Sequence, residues 1–474
     1  VPTVMWFRRD LRLSDHPALL AALEQSGSTV ALFVLDPRLM RRAGPVRQAW
    51  LAANLLALDE RTGGRLVVRR GDPAEVVPEV VAEVEADQVH VSAETTPYGA
   101  ARDAAVASAL AELGHRTGRP AALRATGSPY AVGPGLVRKG DDEPYRVFTP
   151  FARAWREHGW AAPAASPESP GFVALASASG ARDALVQAAA DGAADLPEAG
   201  EEAAWRRWHT FRDGALGDYR SGRDRPDLDG TSRLSPYLSL GVLHPRSLLA
   251  DLPGGGADDG TPGPAAEAFV SELAWREFYA DVLHHRPDSA WVDLRPGLAG
   301  LRYSEEADAV AAWRTGTTGY PVVDAGMRQL LGQGWMHNRL RMITASFLTK
   351  DLHVWWPVGA RHFLRHLADA DLASNNHGWQ WVAGTGTDAS PYFRVFNPVS
   401  QGMKFDPAGD YVRRWVPELR HLPGRAAHEP WEHEEGYAHG YPARIIDHAD
   451  ERREALARYE AARGASGRGS RPRR

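Results

Sequence analysis

The chain has 474 residues, 43% of them hydrophobic and 24% charged, which provides for two or more packed cores and excludes a disordered polyelectrolyte. It contains no cysteine, which excludes disulfides, thiolate metal sites and cysteine nucleophiles. A formal charge of −5 excludes a polycation, and no apolar run reaches the ~18 residues that span a bilayer. Short β-branched runs at Thr3–Phe7, Val30–Leu35, Arg65–Arg69, Val89–Ser92 and Ala122–Ala125 alternate with amphipathic or Ala-rich stretches at Pro17–Gln25, Pro45–Arg61, Pro73–Ala86 and Ala100–Leu113. Such alternation predicts βαβ units and a doubly wound parallel sheet over residues 1–130. The first strand-to-helix turn, Arg8–His16, has no glycine, so a G-x-G-x-x-G dinucleotide loop is absent there. Ser14 is the expected cap of the following helix and Pro17 suits its first turn.

Residues 131–202 read as an interdomain linker; the part from Ala161 to Glu202 is rich in Ala, Ser, Gly, Pro and acids, with one helix near Ala181–Ala190. From Trp205 helical patterns take over, at Ala265–Leu283, Ala307–Thr315, Val322–Leu331, Asn338–Leu348 and Ala360–Leu367, with a Gly/Pro/Asp loop at Asp251–Pro264. Residues 203–462 form a second, all-α domain on this reading. Arg463–Arg474 reads as a disordered basic tail.

The helical half concentrates unusual residues. Arginine supplies 52 of the 55 basic residues, and there are 16 tryptophans. Codon bias is the plainer account of the arginine excess, although Arg forks also suit phosphate; indoles pack cores, stack on bases or pass electrons. In Trp335–Met342 (WMHNRLRM), Asn338, Arg341 and Met342 share one helical face, and no acid lies between Leu331 and Lys350, as suits an anionic ligand or a nucleic-acid backbone. A solvated amphipathic helix fits that segment equally well. Glu272–Tyr279 (ELAWREFY) and Asp369–Trp381 (DADLASNNHGWQW) are dense in carboxylates, amides and indoles, which in a core must find partners; a large polar heterocycle would provide them. Thr231–Tyr237 (TSRLSPY) leads hydroxyls into a helix start, which suits an anion or simple capping. His362 and His366 at i, i+4, followed by Asp369, Asp371 and His377, resemble a metal site only loosely, and no metal is expected. No G-x-S-x-G elbow or P-loop is present.

With these segments in view, the sequence resembles class I DNA photolyases of the photolyase/cryptochrome family. The resemblance is carried by WFRRDLRLSDHPAL, TSRLSPYLSLG, ELAWREFY, TGYPVVDAGMRQLLGQGWMHNRLRMITASFL and DLASNNHGWQWVAGTGTDASPYFRVFNP, in order along nearly the whole chain. It implies an N-terminal α/β antenna domain and a helical domain holding FAD. The implied activity is light-driven repair of cyclobutane pyrimidine dimers: reduced flavin lends an electron to a dimer flipped out of UV-damaged DNA, single- or double-stranded. A cryptochrome-type blue-light photoreceptor is the alternative. By motif position, Trp275 and Trp381 resemble the walls around the dimer, Glu272 and Asn338 its polar contacts, and Met342 the soft side chain beside it. Tyr219, Thr231, Ser232, Arg233, Leu234 and Ser235 resemble the FAD phosphate cradle; Glu272, Arg276, Trp335, Arg341, Asp369 and Asp371 resemble further cofactor contacts, with Asn375 facing flavin N5. Arg339, Arg341 and Arg394 resemble the rim on flanking phosphates. Trp379 and Trp356 match the first two members of an electron-transfer chain, and Tyr303 stands at the third, where the family has Trp. MHNRLRM is the dimer-repair form rather than the (6-4) form. His377 stands where many relatives have glycine. The Arg8–His16 turn and Glu94–Tyr98 resemble an 8-hydroxy-5-deazaflavin site more than a methenyltetrahydrofolate site. A monomer in the bacterial cytoplasm, on the nucleoid, is expected.

Overall fold

Five parallel strands open the chain: Thr3–Phe7 (β1), Thr29–Leu35 (β2), Leu66–Arg70 (β3), Gln88–Val91 (β4) and Ala122–Ala125 (β5), in the order β3-β2-β1-β4-β5. In this computed structural model the chain is described except at 168–169, 193–194, 253–262, 296–297, 299, 305, 389–392 and 469–474, and at the side chains of 464–468. Each strand falls within one residue of its expected place. Thr3 pairs with Thr29, Ala31 with Leu66, Val4 with Val89 and Gln88 with Ala122. Both faces of β1 and β2 are apolar because helices cover both. Met5, Phe7, Ala31 and Phe33 pack toward Trp50 and Leu55, while Val4, Trp6, Val30 and Leu32 pack toward Val77, Val80 and Leu110.

The helices at Pro17–Ser26, Pro45–Arg61, Pro73–Val84 and Pro97–Thr117 each start with proline in the first turn, where its missing N–H costs nothing. The cap of the first is His16, whose ring accepts from the Leu19 N–H, and not Ser14. The backbone N–H of Ser14 instead donates to Glu201.

Two features of the connector depart from expectation or extend it. The Ala181–Ala190 helix forms as expected, and the strand-like segment before it docks on the sheet, where Thr29 N–H donates to the Gly171 carbonyl and Val173 N–H to that of Thr29. An unexpected helix, Phe148–His158, buries Phe151, Ala152 and Trp155. Its Trp155 indole donates to Glu277 at 2.8 Å, in the long Pro264–His285 helix. The 131–202 segment is thus a packed strap on the second half and not a passive tether.

The remainder is helical. The chief elements are Glu201–Asp213, Ser235–Leu240, Pro264–His285, Ala307–Thr315, Pro321–Gln333, Asn338–Ser346, Trp356–His366, Leu372–Ala383 and His448–Arg468. The helix expected over Asn338–Leu348 gives way at Phe347–Asp351 to a π-turn, which carries Lys350 into the interior. The last helix reaches Arg468, into the stretch read as a disordered tail; residues 469–474 lie outside the described residues, as does most of the Asp251–Pro264 loop. One core runs from Met5 and Phe7 through Trp50 and Tyr237 to Leu273 and Phe278, so sheet and helical half share buried surface. Gly241 permits this approach: a Cβ there would lie 1.9 Å from the Arg9 carbonyl oxygen, and its φ is +64°.

Candidate flavin and lesion site

A cavity of about 550 Å³ opens in the helical half, within the size range of cofactor pockets. It gathers most of the residues singled out in the sequence. Tyr219, Thr231–Ser235, Glu272, Trp275, Arg276, Trp335, Asn338, Arg339, Arg341, Met342, Asp369, Asp371, Asn375, Trp379 and Trp381 all line it. Trp356, Tyr303 and Arg394 do not.

At one end is the turn before the Ser235–Leu240 helix. Arg233 there has φ +51, an uncommon conformation for a side-chain-bearing residue. No side chain caps this helix, so the Thr231, Ser232 and Ser235 hydroxyls are not spent on capping. Ser235 Oγ donates to Asp369 at 2.6 Å, and the Trp335 indole donates to Ser235 Oγ. Arg341 turns inward: its guanidinium donates to Asp369 and to the Met336 carbonyl. These bonds place it at the cavity floor.

Asp371 opens the Leu372–Ala383 helix and accepts from the Ser374 N–H. It also pairs with Arg9 of the first domain at 2.5 Å. Burial alone would raise its carboxyl, but Arg9 and Arg276 together bring it down to about 2. Arg276 donates to the carbonyls of Pro129 and Leu238 and covers the Tyr130 ring, so it ties the end of the first domain to the pocket wall. Asn375 spends its amide N–H groups on the Ala360 carbonyl and Asn376. Its side-chain oxygen is left to accept from a ligand N–H.

The other end is aromatic and carries the lesion candidates. Trp275 is stacked on Phe148 with ring centroids 3.7 Å apart and planes 8° from parallel. Tyr279 leans on Trp275 and is itself stacked on His377. His377 is buried, bonded to Ser289 and to the Ala373 carbonyl, so it reaches neither solvent nor the rim. Glu272 meets Arg223 at 2.8 Å. Burial pushes its carboxyl up, against the pull of Arg223. Asn338 is exposed at the mouth and begins a helix capped by His337, which accepts from the Arg339 N–H. Burial pushes His337 down to about 4, which keeps it neutral and able to accept. Arg339 pairs with Asp224 at 2.6 Å. Arg394 lies exposed outside the mouth, beside a small cavity shared with Trp381 and Lys350.

Reading the sequence missed Arg223, Phe148, Tyr279 and Arg9 in these roles. The run DYRSGRDRP (Asp218–Pro226), with three Arg between Tyr219 and Thr231, is the signal that could have flagged Arg223. Nothing local marks Phe148. His362 and His366 lie with ring centroids 4.5 Å apart, His362 against Trp313 and pushed down to about 3 by burial and its neighbours. His377 belongs to a different cluster. Among the described residues no three His, Asp or Glu side chains are grouped to hold a metal ion.

The donor set fits FAD: hydroxyls and a strained turn for phosphates, an apolar waist at Phe269, Leu273, Phe363 and Leu367, and paired carboxylates and an amide for a flavin edge. Comparison with known proteins agrees. Residues 269–461 match the family described as the FAD-binding domain of DNA photolyase, and residues 3–170 match DNA photolyase. The chain belongs to the DNA photolyase family. It is 44% identical to a deoxyribodipyrimidine photo-lyase of Streptomyces griseus, over 97% of this chain and 99% of the relative. A class III photolyase from Agrobacterium tumefaciens has a similar structure (TM-score 0.86, 36% identity, 98% of each chain), as does a cryptochrome from Synechocystis sp. PCC6803 (TM-score 0.82, 26% identity, 96% of this chain and 99% of that one). Family membership therefore stands above the division into classes. Among the described residues no helix is long and apolar enough to cross a membrane.

Proposed function

We propose that this photolyase repairs cyclobutane pyrimidine dimers in UV-damaged DNA, acting as a monomer on a dimer turned out of the helix into the mouth of the flavin cavity. The observation that carries the reading is the coexistence in one cavity of the flavin-type floor and an aromatic, polar mouth of Trp275, Trp381, Glu272, Asn338 and Met342. Bound FAD, reduced and photoexcited, would supply the electron that opens the cyclobutane ring and recover it afterwards.

The chain's own groups then have defined tasks. Trp275, held flat by Phe148, offers one face to the pyrimidine rings of the dimer, and Trp381 offers the other. A flipped dimer gains stacking on both, and the loss of pairing it pays is least at a damaged site. Glu272, paired with Arg223, is placed to accept a hydrogen bond from a pyrimidine imide N–H. Asn338 supplies a neutral amide beside it. Asn375, with its N–H groups engaged, accepts from an N–H on the cofactor without imposing charge. Arg223 and Arg339, each paired with a carboxylate at the mouth, are placed to exchange those partners for backbone phosphates. An antenna of the 8-hydroxy-5-deazaflavin type is proposed at the carboxyl ends of β1 and β4, where the strand order reverses.

The test is light-dependent loss of dimers from irradiated oligo(dT) by FAD-loaded, chemically reduced protein, with a dark control. Repair only in the light is expected. Intact dimers after full illumination would overturn the proposal, and flavin photochemistry without repair would turn the reading to a cryptochrome-type photoreceptor.

A further inference from the structure

Trp379 lines the flavin cavity, and the aromatic groups behind it offer three ways out. The edge of its indole lies against Gly359, where a Cβ would come within 2.2 Å of the ring. Gly359 follows Trp356 by three residues in the same helix, so the helical face on which the Trp379 indole packs also carries Trp356. Trp356 is buried, and its indole N–H donates to Asp293 at 2.7 Å, an arrangement that favours positive charge on the ring. Trp356 is stacked on Trp291, with centroids 6.5 Å apart and planes 4° from parallel. Trp291 is partly exposed.

The other two routes are poorer. Trp313 contacts Trp379 at 6.0 Å but is fully buried, its N–H held by the Thr344 carbonyl, so a charge there meets no solvent to take its proton. Tyr303 has as its aromatic neighbour Trp355, at 6.4 Å, and not Trp356. Burial and Asp293 hold its phenol well above the ordinary range. An oxidised phenol must shed its proton at once, and the nearby Asp293 carboxylate is already engaged by Trp356.

We infer that Trp291 is the surface end of the route by which oxidised flavin is photoreduced in this protein, with Trp379 and Trp356 as the inner relays. The inference rests on the flavin reading above. In the step, Trp379 gives one electron to photoexcited oxidised flavin, Trp356 refills Trp379, and Trp291 refills Trp356. The oxidised Trp291 indole releases its N–H proton to water, and an external thiol returns one electron and one proton to it. The flavin is left one electron richer and the thiol one electron poorer. Arg361, whose guanidinium lies 4.7 Å from the Trp291 ring centroid, opposes positive charge there. It is exposed, so solvent screens it, and loss of the indole proton removes the conflict.

The test is flash transient absorption on FAD-loaded, oxidised protein. Wild type is expected to form a long-lived, deprotonated tryptophan radical. In Trp291→Phe the separated charges should recombine at least tenfold faster, with Tyr303→Phe unchanged. Arg361→Gln, which leaves the indole in place, should lengthen the radical's life or raise its yield at low salt. A long-lived radical that survives Trp291→Phe, or one abolished by Tyr303→Phe, would overturn the inference. Chemically pre-reduced Trp291→Phe should repair dimers as wild type does. Failure of pre-reduced wild type would instead strike the repair reading and leave the radical measurement standing.

Discussion

Replacing Trp275 with alanine removes the centre of a three-layer stack. Phe148 lies 3.7 Å behind the indole, and the proposed dimer lies in front. The front contact is worth about 1–3 kcal/mol per stacked base, which is about 5- to 150-fold in Kd. The rear contact, worth about 0.5–1.5 kcal/mol, belongs to folding and should appear as a lower Tm. Fluorescence anisotropy on dimer-containing and undamaged oligonucleotides separates the two. Affinity for the dimer should fall while that for undamaged DNA stays level. Since Trp275 is not proposed to touch phosphate, the slope of log K against log salt should not change. Trp275→Phe should recover most of the loss. The reasoning fails if Trp275→Ala, folded and FAD-loaded, binds the dimer within twofold of wild type.

Three further outcomes follow from the charges. Glu272 has a raised carboxyl, so its contribution to stability is complete below the unfolded carboxylate range and declines as pH climbs through the folded value; Glu272→Gln should flatten the alkaline side of both the repair-yield profile and the Tm profile. Lys350 is buried and pushed down to about 7, so the folded state is penalised below that pH and relieved as pH rises toward the ordinary lysine range; Lys350→Met should raise Tm most in acid, and the difference should shrink above pH 7, as followed by calorimetry. Asp371 is held at about 2, so its contribution is present above the usual carboxylate range and lost as pH falls toward that value; Asp371→Ala leaves Arg9 with the more distant Glu94 at 3.7 Å and should cost about 3 kcal/mol, the low end for breaking a buried pair, read as a lower denaturation midpoint.

The sheet was legible because each strand is a short β-branched run bounded by Pro, Gly or Asp, as at Val30–Leu35 before Asp36 and Pro37. The flavin floor was legible because Asp369, Asp371 and Asn375 lie close together in sequence. Arg341 could be placed on a helix but not assigned a direction, since its partner Asp369 comes from another element. Ser14 looked like a cap because hydroxyls usually are; His16 took the position because burial keeps its ring neutral and able to accept. Phe148 was invisible for a different reason. Its helix, Phe148–His158, lies in the stretch assigned to the connector, and its stacking partner is far away in the chain. The π-turn at Phe347–Asp351 likewise depends on where Lys350 finds its acceptor, the Arg394 carbonyl.

The strap that supplies Phe148 has a bearing on how the molecule can be divided. A fragment beginning at the Glu201–Asp213 helix would contain every residue lining the flavin cavity, yet its indole at 275 would have no ring at its back. Asp371 would also lose the guanidinium that enters from the β1 turn. The amino-terminal half is therefore a mechanical support of the cavity mouth, and a helical half cut free of it, with its share of the common core laid bare, should hold damaged DNA poorly even where it takes up its cofactor.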